Sequence, residues 1–431
     1  MANFQAERLS LAVMAYMTAQ LALDAFVRFR KVSDDHGAER IRAVATSAMR
    51  EASNSDMLCD RINRATGIEI ETISGEEEAR LIHLAVSSAV PLKNKRAMLI
   101  DIGGGSVEVT LSQGGNILST ESYNMGTVRL LEKLRDKPAK LPFDELVREY
   151  AESARYRIER EVKKKKIDLC IGTGGNIEEM GELRKKLFKR DSDSAITFEE
   201  LEKLSKILSQ MTVEERRRKF KLRPDRADVI LPAVIVLKMI VKAARINEVR
   251  IPKVGLKDGI LLDLAQSLSA APRPSRRQQV WMSAMLLGEK YQYDGAHSNL
   301  VAFLAGKLFE QTQSLHNLEP DDRLLLEVAA LLHDIGHFIN TIDHDKHVYY
   351  ILQANPLIGL TSREQCIVSN VARYHRKAMP TLQDENFRAL PSKDRSTVIK
   401  LSALLRLADA MDVSHTQRAR SVKIWQAKNK W

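Results

Sequence analysis

Aromatic residues are scarce, at 5% of the chain, and none of them interleaves with the lysine and arginine runs. The stacking platform of a single-strand nucleic-acid binder is therefore missing, and no specific nucleic acid is expected as a partner. No apolar run reaches the roughly 20 residues that a membrane-spanning helix needs. The first residues also lack the basic start and small-residue cleavage site of a secretory signal. A cytoplasmic location with no membrane partner is the expectation. Cysteine is confined to Cys59, Cys170 and Cys366, in separate apolar stretches without paired spacing. That pattern excludes a disulfide or zinc framework and reads as reduced core thiols. Repeats of solenoid length and low-complexity segments are absent as well.

What remains is globular composition: 44% hydrophobic and 29% charged residues in a chain of 431. That length supports about two or three cores. Lysine and arginine number 67 against 56 acids, a net charge of +11, with the excess gathered at 163–166 and 216–221. A polyanion without bases is the partner this charge favours; solvated helix faces are the alternative. The first forty residues read as a helix, with Leu9, Val13, Met17, Leu21 and Phe29 at helical spacing. Strands are expected at 40–45, 97–102 and 167–171, the last two ending in glycine turns, and their alternation with helices gives an α/β core. Residues 269–279 hold two prolines and several arginines and read as an exposed linker. Beyond it the pattern is all-α and histidine-bearing, with one further strand candidate at 421–425.

The turn from Asp101 to Glu108 contains Gly103, Gly104 and Gly105 followed by Ser106, a backbone able to point N–H groups at an anion. A plain glycine hairpin is the alternative for that turn taken alone. Gly172, Thr173, Gly174, Gly175 and Asn176 repeat the arrangement at the start of a helix, whose N-terminal dipole favours anions. Asp101 and Glu108 beside bound phosphate imply a magnesium ion to bridge like charges. Glu76, Glu77 and Glu78 open a helix after Ser74-Gly75, where first-turn acids are favoured by the dipole alone, and Arg50 by itself reads as a surface arginine.

Segments 42–52, 73–81, 101–108 and 172–176, in this order and spacing, resemble the exopolyphosphatase and guanosine pentaphosphate phosphohydrolase (Ppx/GppA) family over roughly residues 1–265. The resemblance implies a two-lobed, actin-like and sugar-kinase-like (ribonuclease-H-like) α/β fold, with lobes at 1–95 and 96–268 and an active site in their cleft. There, water would attack the terminal phosphorus of inorganic polyphosphate or guanosine pentaphosphate. By motif position it makes Glu78 the catalytic base, Glu108 its partner, Arg50 a phosphate ligand and Asp101 a magnesium ligand. The resemblance also implies that the two glycine turns hold phosphate oxygens and that the enzyme is a homodimer. Family members begin with a further strand and an Asp-x-Gly-Ser-Asn type turn ahead of the segment that opens this chain. A truncated first lobe with an exposed sheet edge, and impaired activity, is the resulting expectation.

His333-Asp334 closes the apolar run 328–332 and is followed by Ile335, Gly336 and His337. The doublet resembles that of HD phosphohydrolases, which implies an HD-type helical domain over 280–431. His297 and Asp409 stand where that superfamily completes its metal shell, and His347 and His375 fit the further histidines of two-metal members. Manganese, iron or magnesium suits such a set better than a closed zinc site. His316 and His344 read as ordinary core or surface residues. Two alternatives to phosphoanhydride hydrolysis in the cleft stay open: metal-dependent hydrolysis of a nucleotide in the HD domain, and non-catalytic binding of polyphosphate or nucleotide.

Overall fold

The longer strands form where the sequence is apolar and partly β-branched, and glycine follows Arg96–Ile102 and Val107–Gln113 directly. The computed structural model describes residues 2–135, 143–162, 166–268, 274–376 and 378–425. Its strands are β1 (Ala43–Ala45), β2 (Ile70–Thr72), β3 (Arg96–Ile102), β4 (Val107–Gln113), β5 (Asn116–Tyr123), β6 (Leu169–Thr173), β7 (Ala195–Thr197) and β8 (Glu248–Arg250). Among the described residues, β1 and β2 pair in parallel as a two-stranded sheet, and the others form one sheet in the order β5-β4-β3-β6-β8-β7. β6 runs parallel to β8, and β7 antiparallel to it.

The chain divides into two compact units. The first comprises Met1–Val90, Leu99–Val109 and Ser122–Ser269, and the second Pro91–Met98, Thr110–Glu121 and Ala270–Trp431. Segments 91–98 and 110–121, expected in the phosphatase lobes, thus group with the second unit. In the first unit the helix Ile230–Ala243 is apolar nearly all round and almost wholly buried, as a helix without a wet face must be. The second unit packs its helices around Val301, Leu308, Leu326, Leu331, Val348, Val371 and Leu405.

Several expectations shift. The helix expected over the first forty residues runs Ala2–Asp35. The strand expected at 40–45 is only three residues long, and 421–425 carries no strand. The strand expected at 167–171 lies two residues later, which draws Gly172 and Thr173 into its buried end. Of the expected linker, 269–273 lies outside the described residues and 274–279 forms the first turns of the helix Pro274–Lys290. Proline at a first helical position gives up an N–H that has no intrahelical partner anyway. In the basic run 216–221, Arg216 is buried and donates to the carbonyls of Leu208 and Ala227, so it serves the fold rather than a polyanion. Residues 163–165 of the other run lie outside the described residues. Burial pushes the Cys170 thiol up to about 12, as expected of an inert core thiol. Among the described residues no helix is long and apolar enough to cross a membrane.

Candidate active site and a histidine cluster

Ser74 caps the helix Gly75–Ala89 by accepting from the Glu77 amide at 3.2 Å. This capped first turn sets the directions of the three glutamates. Glu77 turns away into an ion-pair network with Arg80 and Arg42, and both arginines also reach Asp263. Glu78 instead meets Asp101, at the end of β3, and Glu108, at the start of β4, with carboxylate oxygens of all three within 4.8 Å of one another. Arg50 stands beside them, 3.3 Å from Glu78 and anchored by a 2.6 Å bond to the Ile73 carbonyl.

The electrostatics follow from crowding acids with little positive charge. Burial, then the neighbouring Glu108, raises Glu78 to about 7 against the opposing pull of Arg50. Burial likewise raises Asp101, although Thr173 donates to it at 2.7 Å, and raises Glu108. Glu108 accepts from Ser122 at 2.9 Å on one oxygen, while its other oxygen, Oε2, is buried without a hydrogen-bond partner. An orphaned carboxylate oxygen among two further carboxylates is the environment a hard divalent cation relieves, so the donor set fits magnesium.

The glycine turns do more structural work than their composition suggests. Gly103 spends its N–H on the Ser106 carbonyl at 3.0 Å, and the carbonyls of Gly103 and Gly104 receive the first amides of the helix Thr127–Arg135. Ser106 hydrogen-bonds Glu108. A side chain at Gly105 would collide with Ser47. Gly174 has φ +88°, and a Cβ there would stand 2.8 Å from the Asp101 carboxylate. Gly172 lies inside β6 against Ile177 and Val249, which makes it a packing glycine and corrects its expected place in the phosphate turn. Asn176 donates to the Ile102 carbonyl at 3.1 Å and accepts from Arg226 at 2.9 Å, so its amide is engaged in the fold. Arg226 also flanks Gly175, and Arg129 donates to the Gly105 carbonyl at 2.7 Å. Neither arginine stands out in the sequence, where no local pattern ties it to the turns.

In the second unit His297, His333, Asp334, His375 and Asp409 come together as expected. Nε2 of His333 is 3.5 Å from both Asp334 and Asp409, and Nε2 of His297 is 3.4 Å from Asp409. His347 is not part of the cluster. His344 takes that place, buried, 3.7 Å from Asp334 and 3.3 Å from the His375 nitrogen. Gly336 selects it: a side chain there would strike the His344 carbonyl, so the bare turn after the His-Asp doublet docks onto the start of the helix His344–Ala354. His337 also reaches Asp334, at 3.6 Å. His316 bonds the Phe309 carbonyl and the Leu318 amide and has no part in the cluster.

Each core ring is fixed through Nδ1. His333 bonds the Ala330 carbonyl at 2.7 Å, His375 that of Ala372 at 2.6 Å, His344 that of Thr341 at 3.1 Å, and His297 the Asp412 carboxylate at 2.9 Å. Oxygen acceptors require N–H on Nδ1, which in a neutral ring leaves the Nε2 lone pair facing the centre. Two such nitrogens lie 3.3 Å apart in His297–His333 and again in His344–His375, a spacing that a proton on one ring or a bound cation would satisfy. Despite burial, the surrounding imidazoles hold Asp334 and Asp409 well below the usual carboxylate range.

The family model described as Ppx/GppA phosphatase family matches residues 9–268, and that of Ppx/GppA phosphatase, domain III, matches residues 281–431. A guanosine-5'-triphosphate,3'-diphosphate pyrophosphatase of Vibrio vulnificus is 28% identical over 394 residues, covering 90% of this chain and 76% of its own. That of Photobacterium profundum is 25% identical over 390 residues with the same two coverages, 90% and 76%. A solved exopolyphosphatase from Cytophaga hutchinsonii superposes with a TM-score of 0.54 at 26% identity, covering 59% of this chain and 84% of that one. An Aquifex aeolicus Ppx/GppA family member gives a TM-score of 0.50 at 24% identity, covering 59% and 83%, a likeness of fold. The α/β region thus has the actin-like fold of these proteins, and the helical region corresponds to their domain III. The chain belongs to the Ppx/GppA phosphatase family and hydrolyses phosphoanhydride bonds.

Proposed function

We propose that the chain removes the terminal phosphate of inorganic polyphosphate or guanosine pentaphosphate at the site formed by Glu78, Asp101 and Glu108. The observation that carries this reading is the convergence of three carboxylates beside Arg50, with one buried Glu108 oxygen left unpartnered. Glu78, raised to about 7, is poised to take a proton from water near neutral pH. Arg50 offers a guanidinium to the phosphate, with Arg129 and Arg226 adding positive charge at the two glycine turns. Asp101 and Glu108 would hold magnesium, which neutralises phosphate oxygens when bound. Phosphoryl transfer asks the protein mainly for such positioning and charge, and a chain of phosphates with no required base agrees with the low aromatic content.

The test is phosphate release from long-chain polyphosphate and from guanosine pentaphosphate with magnesium, for the chain and for Glu78→Gln. Release that disappears in the variant supports the reading and names the substrate. Equal release by both proteins overturns the role of Glu78, and none from either substrate overturns the substrate assignment.

We propose further that the helical unit is of HD type and binds manganese or iron through His297, His333, Asp334, His344, His375 and Asp409. So many imidazole nitrogens favour these ions over magnesium, which prefers oxygen. Homodimerisation rests on the family resemblance and is checked by light scattering.

A further inference from the structure

Strand β6 lies beside β3 in the sheet, and its last residue, Thr173, is buried against the end of β3. The Thr173 hydroxyl donates to Oδ1 of Asp101 at 2.7 Å. Gly174 comes next with φ +88°, and a Cβ there would stand 2.8 Å from the same oxygen, so the backbone also closes on Oδ1. Asn176, buried in the first turn of the helix Gly175–Phe188, donates to the Ile102 carbonyl at 3.1 Å and is held in turn by Arg226 at 2.9 Å. Asp101 and Ile102, consecutive residues of β3, are thereby gripped by two side chains of one turn.

The chemistry of the hydroxyl decides what it can serve. A threonine side chain carries one O–H hydrogen, and a carboxylate oxygen and a phosphate oxygen would both ask for it. With that hydrogen on Asp101, none is left to donate to phosphate, so the side-chain phosphate contact expected of Thr173 competes with the bond observed. An aspartate, for its part, has a broad torsion about its Cβ–Cγ bond. In a cluster where oxygens of Glu78, Asp101 and Glu108 lie within 4.8 Å of one another, repulsion between acids favours turning one of them away. A donor fixed on Oδ1 sets the plane of the Asp101 carboxylate against that repulsion, the service that supporting hydrogen bonds give to metal-binding carboxylates.

We propose that Thr173 is a positioning residue for the magnesium carboxylate Asp101, and that the side chains of the second glycine turn clamp the end of β3 instead of binding phosphate. This rests on the reading of Glu78, Asp101 and Glu108 as a magnesium and phosphate site. The hydroxyl acts through Asp101 on the ion and touches neither the substrate nor the attacking water.

The test is a calorimetric titration of the full chain with Mg2+ in the absence of substrate, with Asp101→Asn as the reference that shows which binding belongs to this site. Thr173→Val keeps the shape of the side chain and removes the hydroxyl. It is expected to weaken that Mg2+ binding by about 10–100-fold, and to leave the KM for polyphosphate at saturating Mg2+ unchanged. Thr173→Ser, which keeps the hydroxyl, is expected to restore most of the Mg2+ affinity. Thr173→Ala repeats the measurement should the valine protein fold poorly. Wild-type Mg2+ affinity in the variants that lack the hydroxyl overturns the positioning role, and a raised KM beside it returns the hydroxyl to phosphate. Mg2+ binding that Asp101→Asn leaves unchanged is a different failure, which overturns the magnesium reading itself and this proposal with it.

Discussion

Among the described residues, Glu78, Asp101 and Glu108 of the α/β unit meet beside Arg50, whereas Asp334 and Asp409 of the helical unit meet among histidines. Burial raises all three acids of the first group, and imidazoles hold both acids of the second low. The same residue types are thus tuned in opposite directions by the charge placed around them. The first group presents oxygens that lack positive charge and suits a hard cation and phosphate. The second presents nitrogen lone pairs and suits a transition metal. Stability follows the same division. Glu78, raised from 4.5 to about 7, favours the folded state at low pH, and that contribution is lost as pH rises through about 7. Asp409, held low, contributes stability above its ordinary 3.8 that is lost as pH falls.

The contrast is tested hardest by Glu78→Gln, expected to cost about 10²–10⁴-fold in phosphate release, the contribution of a positioned base. His333→Ala should weaken manganese binding by more than about 100-fold, since loss of a ligand exceeds the usual effect of its supporting shell; metal analysis of the purified protein reads this. Arg50→Ala is expected to lower phosphate release by about 100-fold. Because Arg50 opposes the rise in Glu78, its removal should also move the acidic limb of the pH–rate profile above the wild-type position near 7. An unmoved limb would detach Glu78 from that limb. Gly174→Ala, at φ +88° beside Asp101, should destabilise the fold by about 1–3 kcal/mol, read as a lower melting temperature.

Much of the first site was legible in the sequence because its parts are local. Glycine turns end strands, Ser74 caps a helix, and the acids lie within a few residues of each. The sequence left Glu76, Glu77 and Glu78 equivalent as first-turn acids, and the family resemblance distinguished Glu78. The fold gives the physical difference: Glu77 is consumed by Arg80 and Arg42, and Glu78 faces Glu108. Gly172 and Asn176 look like anion-binding residues in one dimension, yet they serve packing and a carbonyl bond.

The sequence by itself determined which segments carry chemistry, because glycine turns, caps and the His333-Asp334 doublet act through neighbouring backbone. Tertiary structure alone decided which distant residues join them. His344 enters the cluster and His347 does not, because Gly336 lets one turn dock on the start of one helix. Asp412, Arg129 and Arg226 arrive from tens of residues away or more, where no local spacing marks them and only the packing of the core fixes their direction.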